Sequence, residues 1–96
     1  MERFSSRTVD ELGRLVLHSE IRQRLGLEMG SKVSLTLVGT IVVMQRAEDD
    51  SDCETHIVDD LGRVVLPAEL RKTLDWKEEH KVSFFHTDNL IILKSA

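Results

Sequence analysis

The sequence predicts a mostly β protein with short helices, built from two copies of one strand–strand–helix–strand–strand unit. Three observations support this fold class. The nine residues VDELGRLVL at 9–17 return as VDDLGRVVL at 58–66. Each copy is followed by a short apolar stripe of helical spacing. Two runs rich in β-branched and other apolar residues, which are typical of strands, then close each copy.

The repeat covers most of the chain. A shift of 49 residues aligns residues 8–44 with residues 57–93 without a gap, and 13 of these 37 pairs are identical. Two copies are too few to cover the core of a solenoid, so we expect the two units to bury each other's apolar faces. We assign a first repeat to 1–46, an acidic connector to 47–55 and a second repeat to 56–96, the two repeats forming one pseudo-dimeric barrel.

Each unit opens with two short strands joined by a turn. The segments RTVD and HIVD are β-prone, and RLVL and RVVL are rich in β-branched residues. Gly13 and Gly62 lie between these segments and supply the backbone freedom that a turn needs.

A helix of one to two turns is expected next. Its apolar stripe is Ile21 and Leu25 in the first repeat, and the equivalent pair follows 49 residues later. Ser19 is the candidate N-cap of the first helix, whereas Pro67 suits the first helical position of the second. Gly26 is a natural C-terminal stop, and Asp75 holds the same place less favourably.

Two further strands complete each unit. SKVSLTLV alternates apolar and polar residues, as a half-buried strand does, and IVVM and LIIL are almost wholly apolar. Gly39-Thr40 and Asp88-Asn89 fit tight hairpin turns between them. Trp76 is expected to cap the core, with base stacking as the remote alternative.

Composition excludes several classes of protein. Hydrophobic residues make up 41% and charged residues 31% of the 96, which is typical of a soluble globular domain. There is no membrane-length apolar run and no secretory signal, and the single Cys53 forms no internal disulfide. We therefore expect a cytoplasmic protein in which Cys53 is an incidental exposed thiol. The chain shows no metal-ligand spacing and no catalytic motif, so we expect no enzyme activity, no metal, no small-molecule cofactor and no membrane partner.

The net charge of −4 is unevenly distributed. Residues 1–46 carry seven bases and five acids, and residues 56–96 carry six bases and seven acids. Residues 47–55 carry five acids and no base, so this stretch accounts for more than the whole negative excess. A net negative charge therefore does not exclude nucleic acid, because local patches decide what the protein binds.

The motifs TVDELGRLVLHSEIRQRLGL and IVDDLGRVVLPAELRKTLDW resemble the DNA-binding domain of the AbrB/SpoVT transition-state regulators. The shared pattern is an acid pair, Leu-Gly-Arg, aliphatic residues, Pro, Glu-Leu-Arg and a Leu one turn later; the second copy matches better because it keeps Pro67. The resemblance implies a swapped-hairpin barrel, here with both halves on one chain. It also implies a bacterial or archaeal transcriptional regulator that binds double-stranded DNA in the nucleoid. A swap between two chains, and a homodimer of such barrels, are open alternatives.

The resemblance also implies which residues contact DNA. Carried over position by position, they are Arg7, Arg14 and Arg22 in the first repeat and His56, Arg63, Arg71 and Lys72 in the second. Gln23 stands where the family has a basic residue, and Arg24 supplies one a step later. The first repeat is then the more basic, since Arg7 has His56 as its counterpart. Paired guanidinium groups can bridge successive phosphates or reach base edges.

Other interpretations are open at this stage. Arg14 and Arg63 follow acids closely, so each could simply pair with a carboxylate across its turn, a contact worth about 0–1 kcal/mol when exposed. The helix arginines could be ordinary solvated residues. At the level of function, the alternatives are an antitoxin-like member of the same barrel class that binds a toxin partner, and an interaction module without DNA binding.

Overall fold

In the computed structural model, which describes residues 1–47 and 54–96, eight strands and two short helices follow one another along the chain. The first repeat contains β1 (Glu2–Thr8), β2 (Arg14–Val16), α1 (Ser19–Leu25), β3 (Lys32–Val38) and β4 (Ile41–Arg46). The second contains β5 (His56–Ile57), β6 (Arg63–Val65), α2 (Ala68–Leu74), β7 (Lys81–Thr87) and β8 (Leu90–Ser95). The predicted fold class, mostly β with short helices and the swapped-hairpin arrangement, is confirmed.

Every strand of the main sheet is antiparallel to its neighbours. Six strands form it in the order β1-β7-β8-β4-β3-β5, and β2 and β6 form a separate two-stranded ribbon. The pairing exchanges elements between the repeats, because β1 pairs with β7 and β5 pairs with β3. Each first strand therefore belongs to the hairpin of the other repeat. Within the described residues, no pairing between β1 and β5 joins the two ends of the sheet.

A pseudo-twofold axis relates the two repeats. In the ribbon Leu15 pairs with Val64, and in the main sheet Val43 pairs with Ile92. Both pairs join residues 49 apart in sequence, so each position lies opposite its own counterpart. Such self-pairing places the axis between the two residues of each pair, through the centre of the ribbon and the β4–β8 contact.

The core lies between the ribbon, the two helices and one face of the sheet, and both repeats contribute to it. Its largest fully buried side chain is Phe84 of β7. Ile21 of α1 is fully buried and Leu70 of α2 nearly so, which confirms the apolar helical stripe. Trp76 is 2% exposed and stacks on His80 with ring centroids 5.8 Å apart, so it is a core residue as predicted.

The helix starts differ by one residue from the sequence prediction. Ser19 is the first helical residue and His18 is the N-cap, with no side-chain capping bond. Pro67 is the N-cap of α2 and helix begins at Ala68. The assignments of Ser19 as N-cap and Pro67 as first helical residue are therefore wrong. The reason is that the N-cap keeps extended backbone angles, here φ −58° and ψ 143° at His18, which proline also adopts.

The helix ends and hairpin turns follow the prediction. Gly26 ends α1 in the left-handed conformation at φ 65°, and Asp75 ends α2 at φ 58°. Gly39-Thr40 joins β3 to β4, and Asp88-Asn89 joins β7 to β8. The assigned acidic connector falls largely on residues 48–53, including Cys53, which lie outside the described residues. Neither described helix is long and apolar enough to cross a membrane.

Candidate nucleic-acid interface

An aspartate organises each Leu-Gly-Arg turn. The Asp10 carboxylate accepts hydrogen bonds from the backbone N–H of Leu12 at 2.9 Å and of Arg14 at 2.8 Å, and from Arg14 Nε at 2.6 Å. Asp59 makes the same three bonds to Leu61 and Arg63, at 3.0, 2.8 and 2.7 Å. The alternative that each turn arginine pairs with an acid is therefore what the structure shows. The pairing uses Nε, so the terminal guanidinium nitrogens are left without a partner among the described residues.

These contacts change the acidity of both carboxyl groups. Burial alone would raise the pKa of Asp10, but the hydrogen bonds from the Arg14 and Leu12 backbone and from the Arg14 side chain outweigh it and hold the pKa below its ordinary value. The pKa of Asp59 is lowered through the equivalent contacts with Arg63 and Leu61, again against desolvation. Both turns therefore carry a stable negative charge beside each arginine at neutral pH.

The helix arginines lie over the turns of the opposite repeat. Arg71 of α2 covers Gly13: a β-carbon placed on Gly13 would be 2.5 Å from Arg71 Cζ. Arg22 of α1 covers Gly62, with the corresponding distance 3.0 Å. Arg22 Nε lies 3.4 Å from the Leu17 carbonyl oxygen and Arg71 Nε lies 3.2 Å from that of Leu66. Each turn is therefore contacted by an arginine from the other half of the molecule.

The turn and helix arginines share one surface, which we call the turn–helix face: Arg14, Arg22, Arg63 and Arg71. On the ribbon, Leu15 and Val64 are buried, so their neighbours in each strand point outward. Arg14 lies opposite Val65 and Arg63 lies opposite Val16, which sets the two arginines diagonally about the axis. The helix arginines flank them because Arg22 and Arg71 sit on the adjoining turns.

Exposed aliphatic side chains accompany these arginines, and the sequence prediction missed them. Leu12 is 62% and Leu61 is 63% exposed at the tips of the turns, and Val16 and Val65 are exposed on the ribbon. The available signal was that Leu12 and Leu61 are identical in both repeats yet fit neither a strand nor a helix stripe. The turn–helix face is therefore amphipathic as well as charged.

The charge of the turn–helix face is compensated by acids of the same turns. Asp10 and Asp59 are bonded to the turn arginines. Glu11 and Asp60 are exposed in the same turns and equal Arg22 and Arg71 in number, so the four arginines and four acids sum to zero. The surface is thus a pattern of alternating charges rather than a uniformly basic patch, and it offers directional donors rather than a broad positive field.

The remaining predicted residues are distributed around this face. Lys72 is exposed on α2 beside Arg71. His56 lines a recess with Arg71 at the start of α2, and Arg7 lines the equivalent recess with His18 at the start of α1. Lys72 and His56 therefore border the turn–helix face through Arg71, whereas the recess of Arg7 contains none of the four arginines of that face.

Arg24 is held by another part of the chain. Its guanidinium forms an ion pair with Glu2, with Nη2 2.9 Å from Oε1, and stacks over the Phe4 ring at 5.2 Å from the centroid. Its hydrogen bond with Glu2 raises the pKa of Arg24. Helix α1 therefore contributes Arg22 to the turn–helix face and directs Arg24 to β1. With Arg24 held by Glu2, α1 presents one base, Arg22, whereas α2 presents two, Arg71 and Lys72. The helix of the second repeat is therefore the more basic, although the first repeat contains more basic residues in total.

His18 links β1 to the start of α1. A bulge interrupts the β1–β7 pairing between Phe4 and Arg7, and Nε2 of His18 donates to the Ser5 carbonyl oxygen at 2.7 Å. The imidazole is 8% exposed, packs edge-on to Phe84, and has no partner for Nδ1 among the described residues. Burial, and then the charge of Arg7, lower the pKa of His18, so the ring is neutral at pH 7.

Comparison with known proteins finds a family similarity for the second repeat. Residues 55–96 match the family model for MazE, described as antidote-toxin recognition and bacterial antitoxin. No curated protein sequence matches the chain. The solution structure of PHS018 from Pyrococcus horikoshii is similar in fold: TM-score 0.52, 20% identity, with 100% of this chain and 92% of that chain covered. Residues 55–96, less than half of the chain, are therefore similar to domains of the MazE antitoxin type.

Proposed function

We propose that the protein binds double-stranded DNA through the turn–helix face and acts as a transcriptional regulator of the AbrB type. The observation that carries this proposal is the convergence of Arg14, Arg22, Arg63 and Arg71 on one surface about the pseudo-twofold axis. Four guanidinium groups related in this way match the approximate twofold symmetry of a duplex.

The way the arginines are held supports binding by specific contacts. Each uses Nε inside the protein, in a bond to Asp10, Leu17, Asp59 or Leu66, and this orients the guanidinium plane. The terminal nitrogens then meet a phosphate or a guanine edge with little further loss of side-chain entropy. Leu12 and Leu61 add apolar contacts of the kind that thymine methyl groups accept.

The test is duplex binding by the double variant Arg14→Ala/Arg63→Ala. We expect affinity to fall at least tenfold, while the midpoint of urea unfolding changes little because each ion pair is partly exposed and worth about 0–1 kcal/mol. The matched control is Lys81→Ala/Lys94→Ala, which removes the same charge from exposed positions of β7 and β8. Equal losses in the two variants would mean that net charge, not the turn–helix face, governs binding.

A second candidate function is neutralisation of a toxin. It is favoured by the match of residues 55–96 to a family described by toxin recognition, and the five acids of residues 47–55 would suit a basic partner. An antitoxin should restore growth to cells that express the small basic protein encoded beside it, and should do so equally well with Arg14→Ala/Arg63→Ala. A complete loss of rescue in that variant would place toxin contact on the turn–helix face instead.

A further inference from the structure

Each helix is flanked by a shallow recess, and the two recesses are equivalent under the pseudo-twofold axis. The α1 flank is lined by Arg22, Gln23, Gly26 and Glu28 among others. The α2 flank is lined by the residues 49 positions later: Arg71, Lys72, Asp75 and Lys77. The two flanks occupy equivalent positions but are lined by different residues. Comparing them therefore shows how the surfaces of the two halves differ.

The two flanks differ in charge. Among the residues that line the α1 flank, Arg22 is balanced by Glu28. Arg46 lies behind Gly26, where its Nη1 would be 3.0 Å from a β-carbon, and lines the neighbouring recess with Arg24. The α2 flank has three bases and one acid, a net of two positive charges. Lys77 Nζ lies 3.6 Å from Asp75 Oδ1, but both side chains are about four-fifths exposed, and an exposed pair of this kind is readily exchanged for another anion.

The recesses on the other side of the helices differ as well. Beside β5 the α2 recess is lined by two acids, Glu54 and Glu69, and one base, Arg71. The equivalent α1 recess has two acids and two bases: Glu2, Glu20, Arg3 and Arg7. Helix α2 therefore separates an acidic side from a basic side, whereas α1 has no such polarity. A polyanion that approaches α2 is directed to its Lys72 side.

Each flank is continuous with the turn–helix face. Arg71 lines the α2 flank and also covers Gly13, and Arg22 does the same for the α1 flank and Gly62. If a duplex lies across the ribbon, the sugar–phosphate backbone of one DNA strand would therefore pass the α1 flank and that of the other would pass the α2 flank. It would meet Lys72 and Lys77 at one end, but Gln23 and Glu28 at the other.

We propose that the two halves hold DNA unequally: the α2 half makes additional phosphate contacts through Lys72 and Lys77, and the protein therefore occupies an asymmetric operator in one orientation. This inference rests on the proposed function, DNA binding by the turn–helix face. The central arginines are the same in both halves, so either half is able to contact the same bases. The more firmly anchored half imposes stricter base selection, because phosphate contacts fix the register at which bases are read.

The experiment is phosphate-ethylation interference on a duplex selected by the full chain from a random pool, at low salt. We expect interfering phosphates to cluster in one half-site, and that half-site to be the better specified in the selected sequences. In Gln23→Lys/Glu28→Lys, which gives α1 the bases of α2, interference should extend to both half-sites and affinity should rise.

The reverse variant, Lys72→Gln/Lys77→Glu, should lower affinity at least tenfold and reduce the salt dependence by roughly two phosphate contacts. The matched control, Lys81→Gln/Lys94→Glu, makes the same charge change elsewhere and should lose much less. Interference spread equally over both half-sites by the unaltered protein would overturn the inference while leaving DNA binding intact. Failure of the unaltered protein to bind any duplex would overturn the proposed function and the inference with it.

Discussion

The guanidinium group of Arg71 closes over Gly13, a residue 58 positions earlier and in the other repeat. Gly13 has φ +77°, a conformation that side chains other than glycine's rarely adopt, and it is buried by this contact. Arg22 and Gly62 repeat the relationship across the axis. The Leu-Gly-Arg turn therefore needs glycine for two reasons, its backbone angle and the arginine that lies over it.

The first prediction concerns this contact. Gly13→Ala should lower the free energy of unfolding by about 1–2 kcal/mol from left-handed backbone strain, and by more if Arg71 cannot move aside. Gly62→Ala carries the same strain but a looser contact, 3.0 Å against 2.5 Å to the arginine Cζ, so it should cost less. Urea unfolding of both variants measures the difference. When Arg71→Ala is also present, Gly13→Ala should cost only the backbone strain, because the clash with the guanidinium group is removed. If Gly13→Ala lowers the free energy of unfolding equally with and without Arg71, backbone strain alone is responsible.

The second prediction concerns acid stability. The pKa values of Asp10 and Asp59 are lowered in the folded state, so the stability that they contribute is complete above their ordinary pKa of about 4. It is lost as the pH falls below that value, because the unfolded chain takes up protons first. Asp10→Asn/Asp59→Asn should therefore be less stable than the unaltered protein at pH 7 and closer to it at pH 3. Thermal unfolding at the two pH values tests this, and a stability gap that does not narrow on acidification would contradict it.

The third prediction concerns His18. Its pKa is lowered in the folded state, so below the ordinary value of about 6.5 the unfolded chain binds a proton that the folded chain resists. Stability should therefore fall as the pH drops from 7 towards 5. His18→Pro removes the titrating group and introduces the residue that the second repeat has at this position, where the backbone angles differ by only a few degrees. The variant should show a flatter pH dependence in urea unfolding, and an unchanged slope would show that another group is responsible.

The fourth prediction concerns the exchange of strands. Because β1 pairs with β7 and β5 with β3, neither repeat contains its own complete sheet. Separate peptides of residues 1–47 and 54–96 should each be largely unfolded by circular dichroism and should fold when mixed. The full chain should unfold in one cooperative transition and have the 11.0 kDa mass of one chain in light scattering. A stable fold in either peptide alone, or a two-chain mass at low micromolar concentration, would argue for a different arrangement.

Local sequence patterns predicted the elements because their causes are local. The turn glycines, the hairpin pairs Gly39-Thr40 and Asp88-Asn89, and the stripe of Ile21 and Leu25 depend on backbone angles and on the spacing of apolar residues. The one-residue error at Ser19 and Pro67 has the same origin, since an N-cap and a first helical residue both tolerate these side chains.

The partners of the arginines could not be predicted in this way. Arg14 and Arg63 lie four residues from Asp10 and Asp59, so their pairing is an alternative that local spacing already suggests. Arg24 binds Glu2, 22 residues earlier, and Arg71 covers Gly13. Both contacts depend on how β1 and the turns are exchanged between repeats, which no short-range pattern encodes.

The duplication, the order of elements and the apolar positions follow from the amino-acid sequence, because a 49-residue repeat and hydrophobic periodicity are visible along the chain. Which charges act together depends on the fold. The pseudo-twofold axis brings Arg22 and Arg71 onto the turns of the opposite repeat. The residues that line the α2 flank then carry two net positive charges, and those that line the α1 flank carry none. The physical reason is that electrostatic interactions depend on distance in space, and antiparallel pairing across the axis sets those distances between residues that are remote in sequence.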